Sequence, residues 1–339
     1  MKALKYIILL LLIFIIGFSI YVAVQPNEFS FERSRTINAP AALLYQKVND
    51  YKEWPSFSPW MEQDPDANIF YGESSIGENA SYSWKGDILG EGQMTTLAVK
   101  ADKSISQLIE FTAPFEAKSN INWTFEALED GTKVTWAMNG KQDFVSKLFT
   151  TVMGSIESET GPNFERGLYK LDSLVTKDMA RYNIKINGIT EYGGGFYIYK
   201  TTNANATNIS SKMGENFAAV MQFMGSNGIV PYGMPMTVYN IMEEDNVIMS
   251  NGLPVNERHT IPDDADVSLG YIPKTKVLKA TLQGNYTNLS KAWETTMNHL
   301  TENALVQSDL KPFEVYINDP GDFPNPGDWI TEIYIPLKD

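Results

Sequence analysis

The segment from Tyr6 to Val24, YIILLLLIFIIGFSIYVAV, runs nineteen positions without a charged side chain. A helix of that length rises roughly 28 Å, close to the ~30 Å hydrocarbon core of a bilayer, so the segment is predicted to cross a membrane once. Lys2 and Lys5 precede it, and the next charge is Glu28. The bias of basic residues toward the cytoplasmic side then leaves the N-terminus inside and exports the rest of the chain. A secretory signal has a shorter apolar region and a small-x-small cleavage site, for which Tyr21-Val22-Ala23-Val24 is a poor match. Residues 1–26 are therefore read first as a transmembrane anchor, with membrane contact at residues 6–24, and in the alternative as a signal segment; in both readings the rest of the chain is exported.

What the exported part can do is narrowed by composition. The 339 residues include no cysteine and two histidines, with 27 basic against 41 acidic side chains, a net charge of −14. Setting aside Lys2 and Lys5 leaves −16 outside the membrane. Without cysteine there is no disulfide, thiol nucleophile, lipoprotein acylation site or thiolate metal centre, and His259 and His299 cannot make a three-histidine site. No metal and no cofactor is expected. The acidic balance argues against nucleic acid, whose phosphates need a basic face, and against a second attachment to anionic lipid. No H-E-x-x-H, G-x-S-x-G, P-loop or G-x-G-x-x-G pattern occurs. Carboxylates, hydroxyls and aromatic rings are the chemistry that remains.

Residues 27–178 are read as one domain. Phe29 to Asn38 alternates as a strand, and Ala39-Pro40 starts a helix with proline in its permitted first-turn place. Asn68 to Gly140 is strand-like, with Tyr82/Trp84, Ile121/Trp123/Phe125 and Val134/Trp136/Met138 at period two and Glu129-Asp130-Gly131 as a hairpin turn. From Asp143 to Thr176 the apolar positions Phe144, Leu148, Val152 and Ile156, then Phe164, Leu168, Leu171 and Val175, recur at helical spacing. One long helix is expected there, kinked at Gly161-Pro162.

The stretches RSRTINAPAALLYQKVNDYKEWPSFSPW and GPNFERGLYKLDSL resemble the helix-grip fold of the START-like, polyketide-cyclase type (SRPBCC) superfamily. Such folds grip apolar ligands between sheet and long helix, and they share no catalytic residue set. Trp54, Trp60, Trp84, Trp123 and Trp136 are candidates for a cavity lining, although alternating aromatics more often form plain core.

Residues 179–339 are read as a second domain that repeats itself. Strand material from Asn183 to Lys200, a helix from about Ser210 to Ser226 and the strands MTVYNI and VIMSNGL make a first half. Strand material from Lys276 to Gln283, a helix from about Leu289 to Asn303 and the strands FEVYIN and TEIYIPL make a second. Thr237-Val238-Tyr239 aligns with Glu314-Val315-Tyr316 at an offset of 77, and Ser211 with Ser290 at 79. The near-constant offset predicts duplicated strand-helix-strand-strand units with a cleft between the halves.

Gly284-x-Tyr286, KPFEVYINDP and the terminal TEIYIPL resemble the GyrI-like effector-binding domain found behind the DNA-binding part of many bacterial regulators. The resemblance implies an acidic residue at the bottom of an aromatic pocket that attracts cationic, amphipathic ligands, with a second acid nearby. Carried onto this chain, these are Glu314 and Glu332, with Tyr286, Tyr316 and Tyr334 as pocket aromatics. Some members use such a glutamate to hydrolyse small strained electrophiles. The residues give a parallel reading, since each glutamate sits in an apolar strand two positions from a tyrosine, and each pair projects from one face. A carboxylate there is either solvated or buried; if buried, desolvation raises its pKa. Thr237 stands at the first-half counterpart of Glu314, so the duplicated core itself requires no acid. Trp293 reads as core. No helix-turn-helix precedes the domain, and the stretch from Tyr192 to Asn208, rich in Gly, Asn and Thr, hides the compact first-half turn that the family has.

The expected fold class is α+β: a transmembrane helix, a helix-grip (START-like) domain and a pseudo-duplicated GyrI-like domain. The leading functional expectation is a single-pass, membrane-anchored extracytoplasmic protein that binds small amphipathic, cationic or lipid-like molecules, more a binder than an enzyme. The alternatives are a hydrolase of small electrophiles using Glu314 and an interaction scaffold with filled pockets. Convergence of Glu314 and Glu332 in an open aromatic cavity favours binding or catalysis; exposure of both to solvent favours the scaffold.

Overall fold

The computed structural model describes residues 2–205, 207–243, 246–318 and 320–338. Ala206 and Asp319, which fall in two of the stretches singled out above, lie outside the described residues. The chain divides into two compact units, Met1–Lys177 and Asp178–Asp339.

The first unit opens with α1, Lys2–Val24, whose side chains from Leu4 onward are almost all exposed. Among the described residues it is the one helix long and apolar enough to cross a membrane, a test that a signal sequence also passes. Strand β1 (Glu28–Ile37) follows, then α2 (Ala41–Asn49), two single-turn helices α3 (Trp54–Phe57) and α4 (Trp60–Gln63), and the strands β2 (Asn68–Tyr71), β3 (Ser81–Gly86), β4 (Gly90–Lys100), β5 (Ser104–Ala113), β6 (Ala117–Leu128) and β7 (Gly131–Lys141). They pair antiparallel in the order β1-β7-β6-β5-β4-β3-β2. The period-two residues Ile121, Trp123, Phe125, Val134, Trp136 and Met138 are buried on one face, where the pleat sends alternate side chains.

Two helices close this unit, α5 (Phe144–Met153) and α6 (Ile156–Ala180). The single helix expected from Asp143 to Thr176 is thus interrupted, and at Gly154 rather than at Pro162, which α6 accommodates in its interior. Gly154 has φ 117°, a conformation that an L side chain resists, and Ser155 restarts the chain by accepting a hydrogen bond from the Ser158 amide at 3.1 Å. The later apolar stripe, Phe164, Leu168, Leu171 and Val175, is buried. The earlier one, on α5, is not.

The second unit holds β8 (Tyr182–Tyr192), β9 (Gly195–Ala204), α7 (Ile209–Ser226), β10 (Met236–Glu243), β11 (Asn246–Val255), β12 (Ser268–Ile272), β13 (Thr275–Gly284), α8 (Leu289–Glu302), β14 (Phe313–Tyr316) and β15 (Ile330–Pro336). The sheet order β12-β9-β11-β10-β14-β15-β13-β8 is symmetric about the β10–β14 junction. Each half contributes strand-helix-strand-strand, as the offset predicts, and each half's leading strand, β8 or β12, sits at the far edge beside the other half. Strand β12 was not foreseen. Helix α7 buries Val220 and Met224 against Ile198, Leu253 and Val255, and α8 buries Ala292 and Leu300 against Leu278, Ala280, Ile333 and Ile335. Both helices therefore cover one face of the sheet; Met236, Val238, Phe313 and Tyr334 cluster on the other.

Candidate functional site

At the junction of the two halves Thr237 stands directly opposite Glu314 in the β10–β14 ladder. Glu314 is 0% exposed, and it points to the face that carries the helices. Trp293, on α8, donates its indole N–H to Glu314 Oε1 at 2.5 Å, and the Tyr316 hydroxyl donates to Oε2 at 2.8 Å. Tyr239, the first-half counterpart of Tyr316, stands beside the same carboxylate and adds to its stabilisation. The chain of contacts continues behind Tyr316, which meets Thr237 Oγ1 at 2.9 Å. Asn251 donates to Thr237 Oγ1 at 2.8 Å, and Asn216 of α7 donates to Asn251 at 2.8 Å.

The electrostatics follow from this arrangement. Among the described residues no basic group pairs with Glu314, so burial pushes its carboxyl up from the usual carboxylate range, and the neutral groups Trp293, Tyr316 and Tyr239 offset part of that push. The same burial, with the glutamate alongside, holds the Tyr239 and Tyr316 hydroxyls well above the ordinary phenol value. They are donors, not phenolates. Rings complete the enclosure: Trp293 meets Tyr239 edge-on at 5.5 Å, and Tyr286 and Phe217 meet Tyr316 at 5.6 and 6.1 Å. Tyr286, Trp293 and Phe217 are half-buried and so form the outer layer of the enclosure. Thr331, paired with Tyr316 across β14–β15, is buried with a hydroxyl that makes no hydrogen bond among the described residues.

Tyr286 reaches this position through the glycine before it. Gly284 has φ 139°, and a Cβ there would lie 2.5 Å from Tyr182 Cβ, so the chain turns off β13 where only glycine fits. Asn285 then accepts from the Thr287 amide at 2.9 Å and starts the turn that leads into α8.

Of the five residues expected to share one site, Glu314, Tyr316 and Tyr286 come together. Glu332 and Tyr334 do not join them. Val315, not Glu314, is the ladder partner of Glu332, so parity sends the two glutamates to opposite faces. Glu332 lines an open cavity of 540 Å³ with Tyr192, Tyr197, Tyr271, Tyr334, Met236 and Val315. Its side chain is only 17% exposed, but Lys279 pairs with it at 2.7 Å and the Tyr334 hydroxyl donates to it. This carboxylate is already neutralised, unlike Glu314. The two glutamates neither converge nor face open solvent.

Three participants escape a reading from sequence. Trp293, expected to be core, is a direct partner of the carboxylate, and Tyr239 and Asn251 contribute from the first half. The alignment of Tyr239 with Tyr316 was the available signal for one of them.

In the first unit the tryptophans fill the interior. Trp136 stacks between Trp123 and Phe164, 4.1 Å from each ring, with Trp54 and Trp60 edge-on to it. A cavity of 10 Å³ beside Tyr51, Trp54 and Tyr82 is about the space of a single water. Among the described residues no cluster of three or more metal-ligating side chains exists.

Comparison with known proteins agrees with this architecture. Residues 196–338 match the GyrI-like small molecule binding domain, and residues 37–168 match the family described as polyketide cyclase / dehydrase and lipid transport. No curated protein matches the chain. Among solved structures, the crystal structure of the EcmrR C-terminal domain is 18% identical, with 47% of this chain and 98% of that one covered and a TM-score of 0.41. A cryo-EM structure of an EcmrR–DNA complex is 16% identical, with 63% and 88% covered and a TM-score of 0.41; the DNA there belongs to that protein. A crystal structure of a protein from Mesorhizobium loti is 13% identical, with 44% and 98% covered and a TM-score of 0.34. The chain joins a domain of the polyketide cyclase / dehydrase and lipid transport type to a GyrI-like small molecule binding domain, in that order.

Proposed function

We propose that this is a membrane-anchored, extracytoplasmic small-molecule-binding protein whose GyrI-like domain takes amphipathic cations at Glu314. The observation that carries the reading is the state of that carboxylate: fully buried, hydrogen-bonded by the neutral donors Trp293 and Tyr316 with Tyr239 alongside, and without a cation among the described residues. A positively charged guest relieves the desolvation that raises the carboxyl, and the faces of Tyr239, Tyr316, Tyr286 and Trp293 offer cation–π contact around it. Entry requires the half-buried outer layer of Trp293, Tyr286 and Phe217 to part. The unpaired Thr331 hydroxyl is a further polar contact for a guest in that space.

The apolar length of α1 and the lysines before it support anchoring with the domains outside. The net charge of −14 supports leaving nucleic acid out of the partners. For the first domain, the filled aromatic interior favours a packing role over ligand capture. The two domains' boundaries, near residues 27–178 and 179–339, belong to the same proposal.

A second reading uses the same residues. A carboxyl raised toward neutrality beside two tyrosine hydroxyls suits a general base acting on a small electrophile. Titration of the full-length protein with aromatic phosphonium and quaternary ammonium salts, followed by turnover assays on strained electrophiles, separates the two. Saturable binding without turnover supports the cation reading; turnover that vanishes in Glu314→Gln replaces it with the enzyme; neither result leaves a role for the site.

A further inference from the structure

Helix α5 is turned inside out. Its apolar side chains Val145, Phe149 and Val152 are 64%, 52% and 65% exposed, and Phe144, Leu148 and Met153 are exposed beside them. Its one lysine, Lys147, is 4% exposed, with its ammonium on the Ala23 carbonyl at 3.2 Å. Its two threonine hydroxyls are likewise satisfied from within: Thr151 donates to the Lys147 carbonyl at 2.7 Å and Thr150 to Gln142 at 3.1 Å. A surface helix of a water-soluble domain shows the reverse pattern, apolar in and charged out.

The partner this suits is identified by where α5 sits. Ala23 belongs to the last turn of α1, whose carbonyls lack intrahelical partners, and α5 packs beside that turn, near the buried Val22. The exposed apolar faces of the two helices are thus continuous at the point where the uncharged run ends. The sheet agrees. At the same end of the strands, where β1 begins and β7 finishes, the β5–β6 turn presents Phe115, 6.0 Å from Phe149, and the β3–β4 turn presents Ile88, both exposed. One carboxylate flanks each, Asp87 and Glu116. The turns at the opposite end carry Asp102-Lys103 and Glu129-Asp130 instead.

We propose that α5, with Phe115 and Ile88, lies in the lipid interface of the bilayer that α1 crosses, so that the first domain is seated on the membrane rather than tethered above it. An interfacial helix sinks its apolar face among headgroups and upper acyl chains, which is where the end of a spanning helix places a neighbour. The inference rests on reading α1 as a membrane anchor.

The natural absence of cysteine makes the test clean. Ile13→Cys in α1, Val145→Cys and Val152→Cys in α5, and Glu129→Cys at the far turn are all at exposed positions. Each is labelled with a nitroxide in the full-length protein and reconstituted into phosphatidylcholine vesicles. Collisions with oxygen, which concentrates in lipid, and with a water-soluble nickel chelate are then compared. The proposal expects oxygen to dominate several-fold at 13, 145 and 152, and nickel at 129. Oxygen at 13 with nickel at 145 and 152 overturns it while the anchor stands. Nickel at 13 removes the anchor and the proposal together. Shielding from both reagents at 145 and 152 shows another protein copy on the patch and also overturns it.

Discussion

Thr237 and Glu314 face each other across the β10–β14 ladder, the two equivalent positions of a duplicated unit, one a hydroxyl and the other an acid. The duplication supplies the symmetric frame, Tyr239 on one side and Tyr316 on the other, and the exchange of a hydroxyl for an acid between the equivalent positions puts a carboxylate on its axis. A tyrosine from each half then flanks one buried charge, Tyr316 by a hydrogen bond and Tyr239 alongside.

The Trp293 indole holds that charge from α8, so Trp293→Phe separates its hydrogen bond from its packing. The phenyl ring retains the contact with Tyr239, while the N–H is lost. Hydrogen bonds to charged groups contribute about 1.5–3 kcal/mol, so a loss of about 2 kcal/mol is expected in urea unfolding at pH 7. Unchanged stability would remove Trp293 from the site.

The carboxylate has a pH signature of definite sign. Burial raises the Glu314 carboxyl above the ordinary 4.5, so the folded state prefers the protonated form. Its stabilising contribution is complete below about pH 4.5 and is lost as pH rises through the folded-state value, costing about 1.4 kcal/mol for each pH unit that separates the two values. Glu314→Gln does not titrate. Its melting temperature relative to wild type is therefore expected to rise between pH 4 and pH 8. A gap that stays constant with pH would contradict the raised carboxyl.

Much of this arrangement was legible in the sequence, and the rest shows what a sequence omits. The pairing of Glu314 with Tyr316 follows from strand parity, and the duplication from a constant offset. Parity holds only along one strand, however. Which residue of β14 meets Glu332 depends on the register between strands, and that register, Val315 opposite Glu332, sends Glu332 and Tyr334 to the other face. Trp293 comes from a helix whose rotation is set by packing of Ala292 and Leu300, information no spacing in FEVY contains. In the first domain Gly154-Ser155 was a visible stop and restart. The continuous apolar stripe from Phe144 to Ile156 masked it, because periodicity alone does not say whether a stripe meets protein or lipid.

The stacked tryptophans of the first domain differ in one atom that matters. Trp123 donates its indole N–H to Gln107 at 3.1 Å, within a buried network that includes Tyr51 and Thr96, whereas the buried Trp136 N–H has no partner among the described residues. Trp123→Phe strands Gln107, and Trp136→Phe removes an unsatisfied donor. The first is expected to cost about 1–2 kcal/mol more than the second in chemical denaturation, since an orphaned buried polar group costs about 1–3 kcal/mol. Equal costs would show that packing alone decides.

The most direct test of Glu314 as the cation site is the affinity of the full-length protein for an aromatic phosphonium, measured in wild type, Glu314→Gln and Glu332→Gln. The account predicts at least a tenfold loss, about 1.4 kcal/mol, in Glu314→Gln. It predicts little change in Glu332→Gln, whose carboxylate Lys279 already neutralises. Equal affinity in wild type and Glu314→Gln, or a loss confined to Glu332→Gln, would contradict it.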